Sequence, residues 1–373
     1  MTHKSLDKSA LQTVFAVFVL ILMAGSVTFA STKLSSEVPG VFNKCWENSF
    51  NTNPAVGPAA DASAVYVLDD ANKLHAIDLA VGTNIWSSDI GGEVVSNLLV
   101  LGDSLFLVTN SHSNSQDSSV KTKVRAISRH TGITAWQAEI PSSSAVWLGA
   151  VAGRIVAASA VGSVSAFSPA DGGVVWKTDL TSELTAEPYF YDLGIDLGLK
   201  NRDVVSVSAA AGRSHVVWKS EYLPTAVLTD STGRSIVGDE RGNLTRLSPE
   251  GKRVWRFRNG AQISSVSVHG SEYLAASYDN FIYKLSRAGR VKWKRRLPGR
   301  AIDKPFLLGD TAVVSIAAAG DVYALDIKTG KILNRIETGE EISARVTAAP
   351  GDRGFVIASS RAVLYFNSKC PGK

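Results

Sequence analysis

Two cysteines could supply either redox chemistry or one disulfide. Cys45 and Cys370 are the only cysteines among 373 residues, and they stand near opposite ends of the chain. In an oxidising compartment an even pair permits a single intramolecular disulfide. Two unrelated free thiols remain the alternative.

The histidines and acidic residues do not form a known catalytic or metal-binding motif. None of the six histidines stands at the HExxH spacing. The run that begins at Asp192 resembles a Ca²⁺ loop, but it has Gly194 at the third position and Leu197 where the loop needs glycine. A GxSxG elbow, a phosphate-binding loop and a dinucleotide fingerprint are also missing. The sequence therefore predicts no catalytic residue, no metal site and no cofactor.

A basic segment is the strongest feature that could bind a partner. Residues 241–300 contain 14 lysines and arginines against three acids, although the net charge of the chain is only +5. Because these charges alternate with apolar residues, a solvated face is the simpler interpretation. The alternative interpretation is a binding surface, which would contact an acidic protein surface or anionic lipid headgroups. The candidate partner-binding residues are Arg253, Arg256, Arg258, Lys292, Lys294, Arg295 and Arg296.

The first thirty residues predict export. Two lysines precede an apolar run from Val14 to Met23, and small residues ending at Ala30 suit a signal peptidase. We expect residues 1–30 to be a signal peptide and residues 31–373 to form a single domain. The apolar stretch is marginal for the roughly 20 residues of a membrane helix, so an uncleaved anchor remains open. Export also argues against nucleic acid as a partner.

Tryptophan recurs at a nearly fixed interval through the rest of the chain. Successive spacings are 40, 50, 40, 42, 37 and 38 residues, and a glycine stands four residues before most of these tryptophans. Strand-like runs that alternate apolar and polar residues precede each glycine. A period near forty is typical of repeat proteins, in which each unit packs on its neighbours. The tryptophans assigned to this packing are Trp46, Trp86, Trp136, Trp176, Trp218, Trp255 and Trp293.

One repeat, residues 263–293, shows four short strands joined by tight turns. The turns contain the phrases HGSE, DN and RAG, whose Asn, Asp and Gly tolerate left-handed backbone. A four-stranded antiparallel sheet of this size cannot bury both faces alone, whereas radial stacking of such sheets covers them. The predicted fold is an all-β propeller of four-stranded antiparallel blades.

The number of repeats predicts how the ring closes. Eight tryptophan-type positions, one of them occupied by Asn334, indicate eight blades. The chain ends before the last repeat reaches its tryptophan, whereas Trp46 at the front has no strands before it. We therefore expect the N-terminal strand to complete the last blade and to bring Cys45 close to Cys370. A disulfide there would stabilise the fold by roughly 5 kcal/mol in the chain-entropy model.

Two segments depart from the repeat. Ten extra residues lie in the polar stretch 109–121, which we expect to be a protruding loop. A second long loop is expected at 187–203, in a fourth repeat that lacks the glycine at its usual place. Loops on a rigid scaffold often carry binding sites, although sequence drift explains these departures equally well.

The repeat phrase resembles that of the pyrroloquinoline-quinone-type propellers. Asp326, Thr329, Gly330 and Lys331 carry the match in DVYALDIKTGKILN, and related phrases cover nearly the whole mature chain. By its length and export the chain is also similar to the propeller lipoprotein subunits of the outer-membrane β-barrel assembly machinery. Those subunits carry a lipidated cysteine where this chain has Ser26, so lipid attachment is not expected.

The resemblance implies a non-catalytic scaffold for protein–protein interactions in the periplasm or cell envelope. Envelope proteins are the expected partners, with weak contact to an anionic membrane surface, and the scaffold is expected to be a monomer. The alternative is a quinone- or small-ligand-binding propeller with redox activity, because quinoprotein dehydrogenases share the repeat phrase. Those enzymes are usually longer, bind Ca²⁺ through carboxylates and resemble each other in an adjacent cysteine pair, which this chain lacks. A sensor domain held by an uncleaved N-terminal segment is a third interpretation.

Overall fold

A computed structural model describes residues 41–370 except 50, 53–55, 113–119, 142, 302–303, 317–319, 340–341, 343–345 and 352–353. The predicted signal peptide and Ser26 therefore lie outside the described residues. Every regular element in the described part is a β-strand. That part contains no helix of the length and apolarity needed to cross a membrane.

The described strands form eight antiparallel sheets, which are the blades of a propeller. In chain order the strands are β1 (Asn43–Ser49) of blade eight; β2 (Ala59–Ala60), β3 (Ala64–Leu68), β4 (Lys73–Asp78) and β5 (Asn84–Asp89) of blade one; β6 (Glu93–Val94), β7 (Leu99–Leu101), β8 (Ser104–His112), β9 (Val120–Ser128) and β10 (Thr134–Ile140) of blade two; β11 (Val146–Val151), β12 (Arg154–Ser159), β13 (Ser163–Phe167) and β14 (Val174–Asp179) of blade three; β15 (Tyr189–Tyr191), β16 (Gly194–Gly198), β17 (Asp203–Ser208) and β18 (Ser214–Lys219) of blade four; β19 (Pro224–Thr229), β20 (Ser235–Asp239), β21 (Asn243–Leu247) and β22 (Arg253–Arg258) of blade five; β23 (Ile263–His269), β24 (Glu272–Ser277), β25 (Phe281–Leu285) and β26 (Val291–Arg296) of blade six; β27 (Phe306–Leu308), β28 (Thr311–Ile316), β29 (Asp321–Asp326) and β30 (Ile332–Glu337) of blade seven; and β31 (Thr347–Ala349), β32 (Gly354–Ala358) and β33 (Ala362–Asn367) of blade eight.

Blades one to seven are each built from strands that are consecutive in sequence. Short hairpins therefore suffice to connect neighbouring strands. In blade two the first strand is split into β6 and β7, which both pair with β8. The all-β propeller of eight antiparallel blades predicted from the sequence is confirmed.

Blade eight joins the two ends of the described chain. Its strand order is β1–β33–β32–β31, and Trp46 of β1 stands opposite Tyr365 of β33. Cys45 and Cys370 form a disulfide with their Cα atoms 5.2 Å apart, across a sequence separation of 325 residues. The prediction that the N-terminal strand completes the last blade is confirmed, and so is the disulfide.

The segment 187–203 is not the long loop expected from the sequence. It contains β15 and β16, the first two strands of blade four, which pair in an antiparallel hairpin. Its glycines and aspartates have low strand propensity, but Ile195 and Leu197 are completely buried. Burial in the core therefore outweighs local propensity here.

The stretch 109–121 is also more regular than expected. Strands β8 and β9 continue into it and pair as far as His112 opposite Val120. The expected loop is thus shorter, and residues 113–119 lie outside the described residues.

The hydrophobic core lies between neighbouring blades rather than within one sheet. Eight clusters of buried apolar side chains occupy the eight blade boundaries of the described ring. Seven of them contain nine to thirteen buried residues, including the boundary where Trp46 of blade eight packs with Ile77 of blade one. The cluster between blades four and five contains only four buried residues. One boundary of the ring is therefore much less apolar than the others.

A tryptophan in the last strand of a blade packs on a glycine of the next blade. A Cβ added to Gly82 of blade one would lie 2.7 Å from the Trp46 ring of blade eight. The Trp46 indole N–H donates a hydrogen bond to the Leu79 carbonyl oxygen at 2.8 Å. The same two contacts, with hydrogen bonds of 2.9–3.0 Å, recur for Trp86, Trp136, Trp176, Trp255 and Trp293. At six blade boundaries a glycine thus receives the tryptophan of the preceding blade.

Blade seven has Asn334 in place of the tryptophan. The Asn334 side-chain oxygen accepts a hydrogen bond from the Phe42 backbone N–H at 2.9 Å. Phe42 itself is buried among side chains of blades seven and eight. The segment before β1 therefore packs at the boundary where the indole is missing.

Replacing both cysteines by serine should lower the stability of the ring. The disulfide closes a very long loop, and its removal should cost up to roughly 5 kcal/mol. Thermal unfolding of the wild type with and without reductant measures this effect. The double serine variant is the control, because reductant should not change its melting temperature. An unchanged wild-type melting temperature after complete reduction would contradict a stabilising role.

The indole–glycine contact can be separated from backbone strain with two glycines of equal φ. Gly132 and Gly153 both have φ of +72°, but a Cβ would lie 2.7 Å from Trp86 at Gly132 and would meet nothing within 4 Å at Gly153. Gly132→Ala should therefore destabilise the protein by roughly 1–3 kcal/mol more than Gly153→Ala, as overpacking does. Urea unfolding of the two variants measures the difference. An equal decrease in the free energy of unfolding would show that the indole–glycine contact does not contribute this stability.

Candidate functional site

Blade four departs from the other blades in the register of its last two strands. In blade three Trp176 stands opposite Ala166, the fourth residue of β13. In blade four the fourth residue of β17 is Ser206, and it stands opposite His215. Trp218 lies further along β18, opposite the second residue of β17. A histidine therefore occupies the position at which blade three has its tryptophan.

The indole–glycine contact is consequently absent between blades four and five. Gly251 is the glycine of the repeat phrase in blade five, but a Cβ there would clash with the Val217 carbonyl oxygen and would meet no tryptophan ring. Within the described part of the chain, no carbonyl accepts a hydrogen bond from the Trp218 indole. Trp218 still packs, partly buried, against the small cluster that includes Val204 and Val227. Apolar packing at this boundary is retained but reduced.

A cleft of about 560 Å³ opens at the same boundary. All four strands of blade four line one side, and the turn between β19 and β20 of blade five lines the other. Tyr189 and Tyr191 stack in its wall with ring centroids 5.8 Å apart. The volume lies within the roughly 300–1,000 Å³ that is typical of ligand sites. We refer to this feature as the four–five cleft.

Asp196 is the buried carboxyl group of the four–five cleft. Its side chain is only 2% exposed, and it accepts a hydrogen bond from the Thr229 hydroxyl across the blade boundary. The Tyr191 hydroxyl donates a second, longer bond of 3.4 Å. Burial raises the pKa of the Asp196 carboxyl above its usual range, because these neutral donors do not replace the water that is lost.

Three other buried aspartates have an arginine partner in addition to a tyrosine hydroxyl. Although burial opposes their ionisation, hydrogen bonds keep the pKa of Asp61 and of Asp230 well below the usual range. No lysine or arginine among the described residues forms an ion pair with Asp196. The three groups are Asp61 with Tyr66 and Arg129, Asp230 with Tyr273 and Arg246, and Asp321 with Tyr323 and Arg335.

The residues of the basic segment lie on β22 and β26, the last strands of blades five and six. Alternation along each strand leaves six of the seven exposed, whereas Arg295 is half-buried and donates to the Gly330 carbonyl oxygen at 2.6 Å. Arg256 pairs with Glu221 at 3.2 Å, and Lys292 pairs with Glu272. Lys294 lies over the Phe281 ring at 5.2 Å. We refer to the exposed basic side chains of β22 and β26 as the basic outer rim. Two of them, Arg256 and Lys292, are paired with acidic residues.

The sequence did not predict the four–five cleft. The structure brings together Asp196, which the sequence presents only as part of a failed Ca²⁺ loop, and His215, which carries no motif. One feature of the sequence could have indicated the altered register of blade four: Gly212 stands six rather than four residues before Trp218. Within the described ranges, no group of three or more His, Cys, Asp or Glu residues is arranged to hold a metal ion.

The buried carboxyl of Asp196 should make stability fall as pH rises. Its pKa is raised in the folded protein, so its contribution is favourable below the unfolded pKa of about 3.9 and is lost as pH rises through the folded pKa. Asp196→Asn should therefore gain stability relative to the wild type as pH rises from about 4, the pKa of the group in the unfolded chain, through its raised folded pKa. Melting temperatures across this range measure the difference.

The matched control is Asp179→Asn, which removes an exposed carboxyl of blade three. If the difference in melting temperature between the wild type and Asp196→Asn did not change with pH, this result would contradict a raised pKa for the buried Asp196 carboxyl.

Comparison with known proteins places this ring among described propellers. A family model described as "Outer membrane protein assembly factor BamB" matches residues 43–148, 120–241 and 240–367. The protein of that name from Yersinia pestis is 22% identical over 94% of this chain and 80% of its own length. The one from Nitrosomonas eutropha is 30% identical, but over only 26% of this chain and 24% of its own.

Solved structures show the same fold. The crystal structure of BamB from Moraxella catarrhalis superimposes with a TM-score of 0.68 at 14% identity and covers 87% of this chain and 99% of that one. The computationally designed Ika8 protein superimposes with a TM-score of 0.67 at 15% identity, over 86% of this chain and 98% of that one. Since the family model matches along nearly the whole ring, the chain belongs to the PQQ-type propeller family described as outer membrane protein assembly factor BamB.

Proposed function

We propose that this protein is a non-catalytic scaffold that takes part in outer-membrane protein assembly in the cell envelope. The observation that carries the proposal is the family match, which extends over residues 43–367 without leaving out a blade. The relative from Yersinia pestis, named for outer-membrane protein assembly, matches over 94% of this chain. The proposal includes export directed by residues 1–30, a location in the periplasm or cell envelope, and a monomeric ring.

The geometry supports a scaffold because the ring is held by contacts that leave its outer surface free. The indole–glycine contacts and the disulfide connect the blades internally, while the last strand of each blade presents alternate side chains outward. A rigid ring of this kind offers separate surfaces to several partners without changing shape.

We place one partner contact on the basic outer rim. Arg258, Lys294 and Arg296 are exposed on neighbouring blades, and none of them forms an ion pair within the described residues. Exposed cations that are not neutralised attract acidic surfaces over several ångströms. An acidic protein surface is the contact we expect, and its strength should fall with ionic strength.

Deletion of the gene in the organism that encodes it should lower the amount of folded outer-membrane barrel proteins. Affinity-tagged protein should also recover assembly proteins from envelope extracts. The triple variant Arg258→Glu, Lys294→Glu, Arg296→Glu should recover less of them, since charge reversal repels an acidic partner.

The control is a triple variant of the same residues to glutamine, which removes the charge without reversing it and should give an intermediate result. Unchanged barrel-protein levels after deletion, together with recovery of no assembly protein, would overturn the proposed function. Unchanged recovery by the glutamate variant would overturn only the placement of the contact.

A further inference from the structure

We propose that the four–five cleft binds the arginine side chain of an extended segment of a partner protein. The inference rests on the proposed scaffold function, because it names the chemistry of one partner contact. It concerns a surface that is separate from the basic outer rim. The four–five cleft and that rim are opposite in charge.

The charge of the cleft favours a cation. Its lining contains the aspartates Asp192, Asp196 and Asp230 but no lysine or arginine. Asp230 is already paired with Arg246 at 2.9 Å, whereas Asp192 is exposed. Asp196 is buried and receives bonds only from neutral hydroxyl groups. The cleft therefore presents three carboxyl groups and His215 but has no lysine or arginine in its own lining to pair with Asp196.

Three of the five other buried aspartates in the described part of the chain, those that accept a hydrogen bond from a tyrosine hydroxyl, indicate which cation is missing. Asp61, Asp230 and Asp321 each combine a tyrosine hydroxyl with an arginine guanidinium. Asp196 has the corresponding hydroxyl, from Tyr191, but no guanidinium. Burying a carboxylate is costly unless a cation and hydrogen bonds compensate it. A guanidinium that enters from solvent would supply the partner that the other three aspartates have within the chain.

The walls of the cleft suit arginine better than a simple ammonium ion. The lining contains two tyrosines, and a planar guanidinium stacks well on an aromatic face. Tyr189 is stacked on Tyr191 and has the Lys304 Nζ 4.9 Å from its ring centre, so Tyr191 is the ring left for an arginine from a partner. Leu193 is 79% exposed at the cleft and Val268 lies in its wall, so an alkyl stem would find apolar contacts.

The length of the cleft favours a polypeptide segment over a small amine. It extends from the first strand of blade four, at Tyr189, to the last strand, at Val217. It also passes the blade five turn at Ser231. A free amine would fill only part of this space, whereas residues on both sides of an arginine can lie along it.

Chemical-shift titration of the full mature chain with acetyl-Ala-Ala-Arg-Ala-Ala-amide tests the proposal. Saturable shifts should appear at amides of the cleft, such as Leu193 and Thr229, and the citrulline peptide should bind at least about tenfold more weakly because it lacks the charge. Asp196→Asn should weaken the arginine peptide by a similar factor. The matched control Asp179→Asn, at a residue that does not line the cleft, should not weaken it.

Several results would overturn the proposal. Absence of saturable shifts with the arginine peptide, or equal binding of the citrulline peptide by the wild type, would do so even if Asp196→Asn failed to fold. Agmatine that binds as tightly as the peptide would show a small-cation site instead of a polypeptide contact. If envelope assembly proteins are recovered but no arginine peptide binds, the inference fails alone. If the peptide binds but gene deletion has no effect on barrel proteins and no assembly protein is recovered, the proposed function fails.

Discussion

The packing of an indole on a glycine of the next blade is the interaction on which the ring depends. The glycine leaves room for the indole because it has no Cβ, and the indole N–H donates a hydrogen bond to a backbone carbonyl of the same turn. One residue type thus provides apolar burial and a directional bond at the same boundary. Its repetition at six boundaries fixes the rotation between successive blades. The seventh, after Asn334, uses the backbone and side chain of Phe42 instead.

The eighth boundary shows what happens when this interaction is lost. In blade four the register places His215 where blade three has its tryptophan, and the buried cluster next to it shrinks to four residues. The bond from Thr229 to Asp196 crosses this boundary, as polar contacts do at others, but here it is not accompanied by an indole or a large apolar cluster. The four–five cleft lies where this apolar packing is reduced. A structural irregularity and a candidate binding site therefore lie at the same boundary.

Much of the fold could be predicted because the repeat phrase encodes local turns and the inter-blade contact together. The position of Trp46 before any complete repeat was sufficient to predict that β1 would complete blade eight. The register of blade four could not be predicted, since Trp218 nearly keeps the repeat spacing and the neighbouring Val216 and Val217 fit a strand in either register. The state of Asp196 depends on Thr229, a residue 33 positions away on another blade, and no local pattern reveals such a contact. The strands β15 and β16 were missed because burial, rather than propensity, forms them.

Native-state hydrogen exchange of the last strands of the blades tests most directly whether the ring has one weak boundary. We expect the paired amides of β18 to exchange faster than those of β14 and β22, because β18, unlike these two strands, lacks the indole contact to the next blade. Equal protection of the three strands would contradict this view. It would mean that the loss of the indole–glycine contact does not weaken the boundary between blades four and five.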